Sequence, residues 1–109
     1  MPELTPLNKD QFESKVRRVE MPVVLDFGAG WCAPCKLLAL ILDELAEKYA
    51  KRVDFFRVDV DQNPDLVMNC GVMSDSTLIL FMAGEPVKRL MCYQPKSAIE
   101  RALFGVLKQ

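Results

Sequence analysis

The chain has 109 residues, the size of one domain, and half of them are apolar, enough for a core. Its formal net charge of −1 and dispersed basic residues, adjacent only in short pairs such as Arg17-Arg18 and Lys88-Arg89, offer no field for nucleic acid or an anionic membrane surface. No apolar run approaches the roughly 20 residues of a membrane span.

In chain order, Asn8 is placed to cap a helix to about Val19, with Phe12, Val16 and Val19 at helical spacing. A short strand has room before it. Val23 to Phe27 reads as a buried strand entered from Pro22, and Gly28-Ala29-Gly30 loosens the backbone before Trp31. The next helix opens near Pro34, since a first turn tolerates proline. It runs to Tyr49 with Leu38, Ile41, Leu42, Leu45 and Tyr49 inward, and with Asp43, Glu44, Glu47 and Lys48 toward water. Val53 to Val60 is a strand, and Asn63-Pro64 starts a short helix ending at Gly71. Thr77–Met82 and Val87–Cys92 form a hairpin about Ala83-Gly84-Glu85, and a terminal helix from Ser97 carries Ile99, Leu103, Val106 and Leu107. Strands alternating with helices imply parallel pairing, and the late hairpin adds antiparallel edges. No linker, repeat or low-complexity segment interrupts residues 1–109, which read as a single α/β domain.

Met1-Pro2-Glu3-Leu4-Thr5-Pro6 lacks the charged and apolar regions of a signal peptide, so a cytoplasmic location is expected. In a reducing compartment, a Cys-x-x-Cys pair is catalytic or metal-binding rather than a structural staple. Here the pair lies in Trp31-Cys32-Ala33-Pro34-Cys35-Lys36, between a strand and a helix. Unpaired N–H groups and the positive end of the helix dipole favour thiolate there. Cys32, just before the helix and the more exposed position, is expected to attack; Cys35, one turn along, resolves the mixed disulfide. Pro34 stiffens the spacer and Trp31 shields one side. Zinc is the competing reading, but it needs two further ligands, and the chain has no histidine while Cys70 and Cys92 stand apart.

Asp26 interrupts an apolar strand. If it points inward, desolvation raises its pKa and suits it to exchange a proton with Cys35. Arg57, on the next strand, is a partner that pulls the pKa back down. An exposed or merely salt-bridged carboxylate is the alternative.

Together, Asp26-Phe27, Ala29, Trp31-Cys32, Pro34-Cys35-Lys36, Ile41-Leu42, Asp59-Val60-Asp61, Asn63-Pro64, Gly71-Val72, Thr77-Leu78 and Gly84-Glu85 resemble the thioredoxin family in order and spacing, from about Leu7 to Leu107. The resemblance implies a thioredoxin fold, a five-stranded mixed sheet flanked by four helices, and a protein-disulfide reductase. It implies Cys32 as nucleophile, Cys35 as resolving thiol and Asp26 as proton-transfer carboxylate. The partners implied are disulfide-containing proteins and a thioredoxin reductase that uses flavin and NADPH; the chain itself carries no cofactor, and a monomer is expected.

The departures from the family cluster at the substrate groove, formed by Trp31, Ala33, Pro34, Asp75, Ser76 and Cys92. Ser76 stands where the family has a cis-proline. Because a cis bond before a non-proline residue costs about 2.5–4 kcal/mol, the Asp75–Ser76 bond is expected to be trans. Ser74-Asp75 replaces a small and an aliphatic residue, and Asp75 is expected to favour basic over acidic targets. Ala33 replaces a glycine, Gly28 an aromatic, Leu40 a helix-kinking proline and Cys92 a glycine on the rim. Cys92 reads either as a small apolar strand residue or as a third thiol near the site. Two other functions compete: a binding or chaperone-like module with weak exchange, and metal or iron–sulfur binding through Cys32 and Cys35, which loss of the proline ring would permit.

Overall fold

A computed structural model describes residues 4–73 and 76–107. In chain order they form β1 (Thr5–Pro6), α1 (Lys9–Phe12, prolonged by a π-helical segment Glu13–Arg17), β2 (Val23–Gly28), α2 (Ala33–Lys48), β3 (Asp54–Asp59), α3 (Pro64–Asn69), β4 (Thr77–Met82), β5 (Glu85–Met91) and α4 (Lys96–Leu107). The strands make one mixed sheet in the order β1-β3-β2-β4-β5. β3 runs parallel to both β1 and β2, while β4 is antiparallel to β2 and β5. The expected five-stranded sheet with four helices is therefore present, including the short first strand.

Alternation along β2 divides the core. Val23, Leu25 and Phe27 pack on one face with Val16 of the π-helical segment and Leu66 of α3. Val24 packs on the other with Leu38, Leu42 and Leu45 of α2 and Ile99 and Leu103 of α4. Both faces of this central strand are covered, which is why it reads as a near-continuous apolar run. By the same alternation Asp26 lies on the α2 face.

Local chemistry sets the boundaries. Asn8 Oδ1 accepts from the Gln11 N–H at 3.2 Å, and Gln11 Oε1 accepts from the Asn8 N–H at 3.1 Å, a reciprocal cap that starts α1. α2 runs without a break through Leu40, as expected once proline is absent there. In the β4–β5 hairpin the two turn residues, Ala83 and Gly84, both have positive φ, 51° and 81°, as a type I′ turn requires. A Cβ on Gly84 would run into the backbone carbonyl of Arg17, so only glycine lets the hairpin pack against the end of the first helix.

Candidate active site

The carboxyl end of β2 feeds the amino end of α2, and the two cysteines occupy that junction. Cys32 is the N-cap of α2: its backbone is extended, and its sulfur accepts the Cys35 N–H at 3.2 Å. The same N–H can stabilise a thiolate on Cys32, because a charged acceptor strengthens a capping hydrogen bond. Pro34 lies in the first turn, where its missing N–H costs nothing. The two cysteines are joined as a disulfide, with Cα atoms 5.2 Å apart.

The disulfide stands between two cavities. Cys32 opens on an outer groove of about 570 Å³ with Trp31, Ala33, Pro34, Ser76, Cys92 and Tyr93 in its walls. Cys35 opens on an inner cavity of about 230 Å³, walled by Asp26, Gly28, Lys36, Arg57 and Asp59 among others. Greater exposure of Cys32 was the expectation, but the two are buried alike, at 7% and 6%. What separates them is the side from which each is reached.

Asp26 is buried on the α2 face, beneath the pair. It is the register partner of Arg57 on β3, which explains why the Arg57 Nε donates to Asp26 Oδ2 at 3.1 Å. Asp26 Oδ1 is buried and accepts no hydrogen bond among the described residues. Burial pushes the carboxyl up to about 6, and the Arg57 guanidinium holds it back from rising further. The charge of Asp43 adds to the rise.

Asp43 corrects the sequence reading, which turned it to water. It is buried on α2, with Oδ1 3.5 Å from Arg57 Nη2, so Arg57 bridges two carboxylates. Burial is tolerable there because β3 supplies the opposite charge. Trp31 is 63% exposed in the wall of the outer groove, and its indole N–H donates to Asp61 Oδ2 at 2.8 Å.

The remaining predicted residues are placed as follows. Ser76 is buried in the groove wall, and its carbonyl accepts the Cys92 N–H at 2.8 Å. Cys92 lies just beyond β5 rather than within it, exposed on the groove, with φ of 65°. That left-handed backbone is one that glycine adopts freely and other residues seldom do. Ala33 and Pro34 are exposed in the groove wall, and Lys36 is exposed at the inner cavity. Ser74 and Asp75, and with them the expected trans bond and the acidic groove contact, lie outside the described residues. Cys70 is half-buried at the end of α3, and burial pushes its thiol up. Among the described residues no group of three or more His, Cys, Asp or Glu is arranged to hold a metal, and no helix is long and apolar enough to cross a membrane.

Comparison with known proteins agrees with this geometry. The protein family described as Thioredoxin matches residues 3–104. A thioredoxin of Alicyclobacillus acidocaldarius is 46% identical over 89 residues, covering 82% of this chain and 85% of its own. A thioredoxin of Mycobacterium bovis is 42% identical over 96 residues, covering 88% and 83%. A thioredoxin of Staphylococcus aureus is 41% identical over 92 residues, covering 84% and 86%.

Proposed function

The chain belongs to the thioredoxin family and is a protein thiol–disulfide oxidoreductase, and we propose that its residues divide that reaction between the two sides of the disulfide. In the reduced protein, the Cys32 thiolate attacks a target disulfide lying in the outer groove. One target sulfur leaves as a thiolate and the other stays bound to Cys32 as a mixed disulfide. Asp26 then takes the Cys35 thiol proton from the inner side. The Cys35 thiolate attacks Cys32 Sγ, the second target thiolate leaves, and the Cys32–Cys35 disulfide is restored.

The carrying observation is that Cys35 and the buried Asp26 share one cavity while Cys32 opens on the other. Base and target therefore do not compete for space. Arg57 tempers Asp26, because a carboxylate held only by burial would keep its proton and be unable to accept another. Trp31, Ala33, Pro34, Ser76 and Cys92 form the surface on which the target rests, and Lys36 borders the inner side. We read residues 1–109 as one cytoplasmic domain that is reduced in turn by a thioredoxin reductase.

Reduction of insulin disulfides, coupled to NADPH through a thioredoxin reductase, tests this reading. The wild type should turn over, Cys32→Ser should be inactive, and Cys35→Ser should accumulate a mixed disulfide visible on a non-reducing gel. Turnover that survives Cys32→Ser would refute the assignment.

A further inference from the structure

We propose that the inner cavity is a second entrance to the redox centre, through which a small hydroperoxide reaches Cys35 and is reduced. The proposal rests on the roles given above to Cys35 and Asp26.

The entrance exists because residue 28 has no side chain. A Cβ placed on Gly28 would sit 3.4 Å from Cys35 Cβ, 3.5 Å from Cys35 Sγ and 3.9 Å from Asp26 Oδ1. Any larger side chain there would project beside both reacting groups. Without one, the cavity of about 230 Å³ is walled by Cys35 and by Asp26, whose buried Oδ1 accepts no hydrogen bond among the described residues. That volume holds several water-sized molecules, and so hydrogen peroxide or a short alkyl hydroperoxide. Lys36 and Arg57 in the walls place positive charge where a departing oxygen becomes negative. A folded target cannot enter a space of this size, so protein disulfides remain with the outer groove.

In the reduced protein, Cys35 Sγ attacks one peroxide oxygen while its proton passes to Asp26. The O–O bond breaks, and Asp26 returns the proton to the other oxygen, which leaves as water or an alcohol. Cys35 has lost two electrons and is a sulfenic acid. The Cys32 thiolate then attacks Cys35 Sγ, and hydroxide departs and takes up a proton as water. The product is the same Cys32–Cys35 disulfide that target reduction generates, so the same reductant regenerates it.

The test exposes reduced Cys32→Ser and Cys35→Ser to hydrogen peroxide with dimedone and maps the sulfenic acid adduct by mass spectrometry. Cys32→Ser should acquire the adduct on Cys35. Adding Gly28→Phe should slow that labelling at least about tenfold by obstructing approach, with Gly28→Ala intermediate, while labelling of Cys32 in Cys35→Ser keeps its rate when Gly28→Phe is added. The Gly28→Ala Cβ meets its neighbours at ordinary contact distances, so this variant reports even if the phenylalanine variant fails to fold. Absence of a Cys35 adduct where Cys32 is labelled, or labelling of Cys35 indifferent to residue 28, would overturn the proposal. Insulin reduction by the unaltered chain, measured alongside, shows separately whether the underlying assignment of the dithiol stands.

Discussion

Asp26→Asn should stabilise the oxidised protein at neutral pH while impairing its turnover. The carboxyl is raised from 3.8 to about 6, chiefly by burial. A raised pKa means that the folded state binds the proton more tightly than the unfolded chain does. Well below pH 3.8, where Asp26 is protonated in both states, the group is neutral to stability. As the pH climbs from 3.8 through about 6, the folded state alone retains the proton, and stability falls along that interval. Above pH 7 the protein holds a buried carboxylate whose ionisation has destabilised it by about 3 kcal/mol, at 1.36 kcal/mol per pH unit. Asparagine has nearly the shape of the protonated acid and its oxygen still accepts from Arg57, so the variant is spared that loss. The difference in unfolding free energy between variant and wild type should then be about 0.5 kcal/mol at pH 4 and approach about 3 kcal/mol at pH 8. Urea unfolding of the two oxidised proteins across this range measures it. The disulfide removes Cys32 and Cys35 from the titration, and the other ionisable groups cancel in the comparison. Turnover at pH 7 should meanwhile fall by up to about 10²-fold, the scale of a lost acid–base group. A stability difference that stays flat between pH 4 and pH 8 would show that Asp26 does not titrate in this window and would remove the basis for its role as proton acceptor.

Asp43→Asn leaves Arg57 with Asp26 as its one remaining carboxylate in the bridge and withdraws a charge that raises the Asp26 pKa. Its titration midpoint, followed by carbonyl NMR in the oxidised protein, should fall below that of wild type, and an unchanged or higher midpoint would contradict the bridge. Gly84→Ala forces a side chain into a turn with φ of 81° and against the Arg17 carbonyl. The left-handed penalty alone is roughly 1–2 kcal/mol, so the overlap should take the measured loss in urea beyond it; a smaller loss would mean that the hairpin is not held against the first helix.

Much of the scaffold was legible because each element carried one strong period. The apolar runs at Val23–Phe27 and Thr77–Met82 predicted two central strands within one residue of their observed ends. The stripe at Leu38, Leu42 and Leu45 predicted which side of α2 meets the sheet. The same period misplaced Asp43, which borders that stripe. A helical wheel assigns a charge at such a border to solvent, because it contains no information about what the neighbouring strand presents. Arg57 was the available signal: a cation between the apolar Phe56 and Val58, alongside a strand carrying Asp26, needs a carboxylate balance in three dimensions that a single helix cannot reveal. The position of Cys92 was hidden for a different reason. The strand pattern through Met91 does not itself announce that the next residue turns left-handed; the family's glycine at this position was the signal, and here cysteine occupies that conformation. The reactive centre shows the same division between what pattern encodes and what packing adds. Their places at the helix start gave Cys32 the attacking role and the greater expected exposure, yet the two are buried alike. What separates them is what lies on either side: a broad groove at Cys32, and at Cys35 a smaller cavity walled by Asp26 and left open by Gly28. The site therefore depends on the sheet beneath it: alternation along β2 puts Asp26 in the wall of the cavity that Cys35 lines, and β3 brings Arg57 into register beside it.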